Sequence, residues 1–214
     1  MTRAILALLG LAGVLGGCAE YDQSPPGPRP LTVWLDYADG TPTPAHEDGC
    51  HGAPQPALSI DDATQTAFEA GLHARLGDLA ITFTTAHPDV GAYVSLIVTG
   101  GKSQDCPGAP PSIGEAPILC PGVPRSASGY VFTDNGLVPA SADGWASIAA
   151  HEVGHMLGLV HVSEGDDVMY PGGAGVGFGL GTAIPGGEVP CAGGTTQDEP
   201  SILEAAVGYR GGTP

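Results

Sequence analysis

Between His151 and His161 the chain reads His-Glu-Val-Gly-His-Met-Leu-Gly-Leu-Val-His, and this run restricts the possible folds more than any other stretch. Histidines four apart share one face of a helix, so a helix through His151 and His155 lets both hold one metal ion. Glu152 stands one position round, placed to reach a water beside the ion rather than the ion itself. Gly158 follows His155 by three residues. A glycine there admits positive φ, ends the helix and turns the chain sharply. That turn can bring His161 back as a third ligand. Three neutral imidazoles leave a tetrahedral zinc with one open position, the arrangement of a catalytic rather than a structural site.

The flanking sequence supplies elements to carry such a helix. Leu31 to Tyr37 alternates and reads as a strand. Asp61 and Asp62 can cap a helix running to Leu76, with Ala63, Ala67, Phe68, Ala70, Leu72 and Leu76 as its buried stripe. Leu79 to Thr85, Ala92 to Thr99 and Gly129 to Thr133 read as strands, and Glu115 to Cys120 as a short edge strand. Ala142 to Leu157 is the helix of the histidine run, with Asp143 suited to its first turn. Residues 171–196 read as a Gly-rich loop, and Pro200 to Val207 as a final helix. No internal repeat is visible. Gly (35) and Pro (21) are abundant enough to raise the question of disorder, yet apolar residues reach 42% and fall in short runs. The expectation is an α+β domain, with a twisted mixed sheet of about five strands.

The histidine run, followed by Asp167-Val168-Met169-Tyr170-Pro171, resembles the metzincin signature and its Met-turn. The spacing from His161 to Met169 and the Met-Tyr-Pro ending are most similar to the matrixin (matrix metalloproteinase) branch. The resemblance implies a zincin-like catalytic domain over 31–214, with an active-site helix, a Met-turn and a C-terminal helix. It implies one catalytic Zn2+ on His151, His155 and His161, Glu152 as general base, and Met169 as a hydrophobic floor. The implied activity is that of a zinc metalloendopeptidase acting on polypeptides. Substrate would pair with an edge strand, for which Glu115 to Cys120 is the candidate, and the loop after Pro171 would shape the specificity pocket. Matrixins carry further His and Asp residues for a structural zinc and calcium; here Gly100 to Thr133 has no histidine, so Ca2+ is possible but unsupported. Tyr170 directly follows the Met, unlike branches where a tyrosine joins the zinc, and is left out of the ligand set. Two other classes stay open: a metal-containing binding or scaffold lipoprotein, and a zinc hydrolase of a non-protein amide. An intact Glu152 argues against the first.

The front end points to export. Thr2-Arg3 precedes an apolar run from Ala4 to Gly17, right for a signal-peptide core and too short for a permanent span. Small residues before Cys18 resemble the lipobox of bacterial lipoproteins. This divides the chain into a signal peptide (1–17), a lipidated Cys18 with a Pro-rich tether (18–30), and the domain from 31. The expected place is the bacterial cell envelope, lipid-anchored at the outer membrane or cell surface, and otherwise secreted. No pro-domain is recognisable. A net charge of −17 disfavours nucleic acid, and a monomer is expected.

With Cys18 used by lipid, Cys50, Cys106, Cys120 and Cys191 remain, an even number that allows two disulfides in three pairings. The favoured pairs are Cys106–Cys120, which would stiffen the His-free loop, and Cys50–Cys191. The run from His46 to His51 reads as a polar loop rather than a second metal site, and blockage of the zinc by Cys50 is disfavoured. Asp166-Asp167 is expected to solvate the turn before Met169.

Overall fold

A computed structural model describes residues 27–40, 55–77, 79–89, 91–102, 112–120, 127–134, 136, 140–172, 175, 177–180, 182–186, 188–191 and 193–211. The expected signal segment, Cys18, the expected tether up to residue 26, the run from His46 to His51 with Cys50, and Cys106 lie outside them.

Strands β1 (Leu31–Tyr37), β2 (Ile81–Thr84), β3 (Tyr93–Thr99), β4 (Gly114–Glu115) and β5 (Ser128–Phe132) form one sheet in the order β2-β1-β3-β5-β4. All neighbours are parallel except β4, which runs antiparallel to β5 at the edge. Parallel strands are covered on both faces, and β3 shows it: Val94 to Thr99 are all buried. One face, with Val33, Leu35, Val94, Leu96, Val98 and Val131, joins the main core. The alternate residues Ile97, Tyr130 and Phe132 form a smaller cluster on the other face. The five-stranded mixed sheet and the α+β class are as expected.

Two helices cover the main face. Helix α1 (Asp62–Leu76) starts where Asp61 accepts a bond from Thr64 N–H at 2.7 Å and ends at Gly77. Its seam is narrower than the sequence suggested. Phe68, Leu72 and Leu76 are buried, while Ala63, Ala67 and Ala70 face solvent. Helix α2 (Ala142–Met156) is capped by Ser141 and buried at every position from Trp145 to Met156. The two helices meet at Gly71, where a side-chain carbon would lie 2.9 Å from Ala146 Cβ. Arg75 ion-pairs with Asp143 at 2.9 Å across them. A helix enclosed on all sides is a rigid platform for side chains.

Three expectations need correction. The edge strand covers only Gly114–Glu115 instead of running to Cys120, because Pro117 has no N–H with which to extend the ladder. The long loop after Pro171 contains a short strand pair: β6 (Thr182–Ala183) pairs antiparallel with β7 (Thr196–Gln197), ahead of helix α3 (Glu199–Val207). The disulfide joins Cys120 to Cys191, their Cα atoms 5.3 Å apart across 71 residues of sequence. Both favoured pairs, Cys106–Cys120 and Cys50–Cys191, therefore fall. The reason lies in the chain path. Leu119 N–H bonds the carbonyl of His155 at 3.1 Å, setting Cys120 beside the end of α2, where the segment before Cys191 also arrives. Closing so long a loop is worth roughly 4 kcal/mol in the chain-entropy view. No helix among the described residues is long and apolar enough to cross a membrane.

Candidate metal centre

Helical spacing does in α2 what the sequence implies: His151 and His155 project together, their Nε2 atoms 3.0 Å apart. The helix ends at Leu157 and Gly158, where Gly158 has φ +100°, a region open to glycine at little cost. Both Leu157 and Leu159 donate to the Gly154 carbonyl at 3.0 Å, and the chain doubles back. His161 then lies with its ring centre 5.1 Å from that of His151 and 4.8 Å from that of His155. Among the described residues these three are the one group of His, Cys, Asp or Glu placed to share a metal ion.

Each ring is held from behind through Nδ1. His151 meets the Val168 carbonyl at 2.7 Å, His155 the Leu159 carbonyl at 2.9 Å, and His161 the Glu188 Oε1 at 2.6 Å. These oxygens only accept, so each Nδ1 carries a proton, and on the neutral rings of His151 and His155 the Nε2 presents a lone pair. Burial first, and neighbouring histidines second, push His151 down to about 3; burial pushes His155 down to about 4, so both rings are neutral near pH 7. Two lone pairs facing each other at 3.0 Å repel unless a cation sits between them. Tetrahedral zinc with Zn–N of 2.0–2.1 Å would place such nitrogens about 3.4 Å apart, close to the spacing found. The donor set fits the ion.

Glu152 is buried beside the histidines, and its Oε2 has no hydrogen-bond partner. Burial, then the nearby Glu115 carboxylate, raises its carboxyl well above the ordinary range. A dication at the histidines would pull the other way and favour the carboxylate. Gly114 of β4 makes room for it: a side chain there would overlap Glu152 Oε1.

Met169 lies under the ligand helix, fully buried, and a Cβ on Gly154 would be 2.5 Å from its sulfur. The turn that carries it is fixed by a residue expected only to solvate it. Asp167 is buried; its Oδ1 accepts Met169 N–H at 2.7 Å and its Oδ2 accepts Gly179 N–H at 2.9 Å. Glu199, at the start of α3, accepts the same Gly179 N–H at 2.9 Å. Burial, followed by the charge of Asp167, pushes Glu199 up to about 8, so the two carboxyls share a proton at neutral pH. Tyr170 is 38% exposed. Cys120 and Cys191 pair with each other and are not part of this cluster.

Glu188, Asp167 and Glu199 were not legible as site residues. Each is a single acid in a Gly-rich or turn segment, with no period or motif to mark it. For Glu188 the one available signal is Cys191, three positions on, which promised that this loop is anchored.

The Matrixin family model matches residues 133–174, the stretch that carries the three histidines, Glu152 and Met169. No curated protein matches the chain. Among solved structures, metalloproteinase-II from Bacteroides fragilis is similar with a TM-score of 0.41 and 14% identity, over 72% of this chain and 51% of that one. The chain thus spans about half the length of that structure. Residues 133–174 thus carry the likeness to the matrixins, and they hold the histidine cluster on an α+β domain with a five-stranded mixed sheet.

Proposed function

We propose that this chain is a zinc metalloendopeptidase, exported and held to the bacterial cell envelope by lipid on Cys18. One observation carries the catalytic part: three imidazoles offer one nitrogen each within 4.8 Å of one another, and Glu152, next to His151 on the same helix, has a buried carboxyl oxygen without a partner. His151, His155 and His161 would hold the ion. When bound, zinc supplies a Lewis acid that polarises a peptide carbonyl and makes water acidic enough to attack near neutral pH. Glu152 takes the proton of the attacking water and then delivers it to the leaving nitrogen, as general base and general acid. Its burial excludes bulk water from that transfer. Glu115 and Gly114 form the sheet edge beside Glu152, so an extended substrate pairing with β4 would bring its backbone to the base. The segment after Pro171 would shape the pocket for the side chain following the cut.

The test compares the exported chain with its Glu152→Ala variant on an unfolded protein substrate, with zinc counted in both. Cleavage by the parent alone, with zinc in both, supports the reading. Zinc in both without cleavage favours a binding or scaffold protein, or a non-protein amide substrate. Loss of zinc from the parent refutes the reading. The anchor is tested separately: Cys18→Ala should move the chain from the membrane fraction to the soluble one, and continued sedimentation with membranes would reject lipid attachment.

A further inference from the structure

The three histidines are not held alike. His151 and His155 stand on an enclosed helix and lean on main-chain carbonyls, those of Val168 and Leu159. His161 lies beyond the helix, its side chain is 30% exposed, and its Nδ1 partner is a side chain, Glu188. That carboxylate grips at two points. Oε1 takes the ring Nδ1–H at 2.6 Å, and Oε2 takes the backbone N–H of His161 itself at 3.3 Å. A planar group bound to both ring and main chain of one residue fixes the torsion between them, and so the direction in which Nε2 points.

The loop that carries Glu188 is in turn pinned. Cys191 is bonded to Cys120, and the neighbouring Leu119 is hydrogen-bonded to the carbonyl of His155, the second histidine of the site. The segment bonded to the end of α2 is therefore crosslinked to the segment that carries Glu188.

We infer that Glu188 is a positioning residue of the metal centre: held by the Cys120–Cys191 crosslink, it orients His161 and strengthens the imidazole as a ligand. The inference rests on the zinc-metallopeptidase reading and goes beyond its motif, which contains no residue past Pro171. A carboxylate behind a ligating histidine raises ligand basicity, and removal of such a partner typically weakens metal binding about 10–100-fold. A merely structural role predicts something different. A structural effect would register in unfolding of the metal-free chain and leave metal affinity alone.

The experiment titrates zinc into the metal-free full chain against a chromophoric chelator, for the parent, Glu188→Ala and Glu188→Gln, with the metal-free unfolding midpoint of each. Glu188→Ala should bind zinc about 10–100-fold more weakly at an unchanged midpoint, and Glu188→Gln, which keeps an acceptor without the charge, should lose less. Zinc affinity of the Ala variant within about twofold of the parent, or a loss matched by a lowered metal-free midpoint, overturns the inference. Should the Ala variant fail to fold, the Gln variant decides: about threefold weaker binding supports the role and parental affinity refutes it. A parent that binds no zinc sinks the metallopeptidase reading and this inference together; a zinc-binding parent indifferent to Glu188 sinks this inference alone.

Discussion

Gly154→Ala is the change that most directly tests how the Met-turn supports the ligand helix. In the interior of a helix, alanine is favoured over glycine by about 1 kcal/mol, so on propensity alone the variant should be more stable. Packing opposes that gain. The added methyl would sit 2.5 Å from Met169 Sδ and 3.4 Å from Leu159 Cδ1. Met169 is fully buried, as are Leu159 and Val168 beside it, so the thioether has no open direction in which to retreat. Overpacking of this kind costs about 1–3 kcal/mol, and the net expectation is a loss of about 0–2 kcal/mol. Urea unfolding of the metal-free protein reads the loss.

The sign is sharpened by a cycle with Met169→Ala. Once the sulfur is gone, the Gly154 methyl has space, and the same substitution should stabilise by about 1 kcal/mol. The two changes should therefore couple by about 1–3 kcal/mol, in the range found for residues in contact. Zinc affinity should move with the clash, because the Val168 carbonyl that holds His151 is next to Met169 in the chain. Equal stabilisation by Gly154→Ala in both backgrounds would refute the reasoning: the Met-turn would then not press on the helix at all.

Two further changes probe the base and the turn's anchor. Gly114→Ala puts a methyl where Glu152 Oε1 lies and 2.8 Å from Ile148 Cγ2, so it should lower kcat about 100-fold while zinc content stays at the parental level; unchanged kcat would show that the edge strand does not set the position of the base. Glu199 has its folded pKa raised to about 8 from 4.5, so its contribution to stability is complete below about pH 4.5 and is lost as pH rises through 8. Glu199→Gln stays neutral; its stability, followed by thermal unfolding from pH 5 to 9, should flatten over that window and exceed the parent's at the alkaline end, and parallel curves would reject the shared proton.

What could be read in advance divides along physical lines. Helix α2, its end at Gly158 and the clustering of His151, His155 and His161 follow from a period and a fixed spacing, which are local properties. Asp61 as cap of α1 and the strand from Leu31 are local too. The edge strand was overrun because the alternation from Glu115 to Cys120 is a side-chain pattern, while Pro117 fails on a backbone N–H. The α1 stripe was drawn too wide because alanine suits a buried or an exposed helical face equally. Disulfide pairing was misread because proximity in sequence is no guide across 71 residues, and the path that joins Cys120 to Cys191 is set by bonds at the metal site itself. The single acids Asp167, Glu188 and Glu199 acquire their roles only after burial, and burial is a tertiary property.

The three histidines are thus held at three different ranges of sequence, and this bears on how far the protein itself orients them. His155 is held four residues away by its own reversal, His151 by the Met-turn seventeen residues on, and His161 by a carboxylate twenty-seven residues on. The first needs only the helix end. The second needs Asp167, Gly179 and Glu199 to lock the turn, which passes the load to α3. The third needs the crosslinked loop. Each Nδ1 bond holds its ring from behind, so the orientation of every ring is set by the protein. Such preorganisation lowers the reorganisation that metal binding has to drive. It also ranks the supports by vulnerability: the local one is the most robust, and the longest-range one, at His161, is where a single side chain governs the geometry.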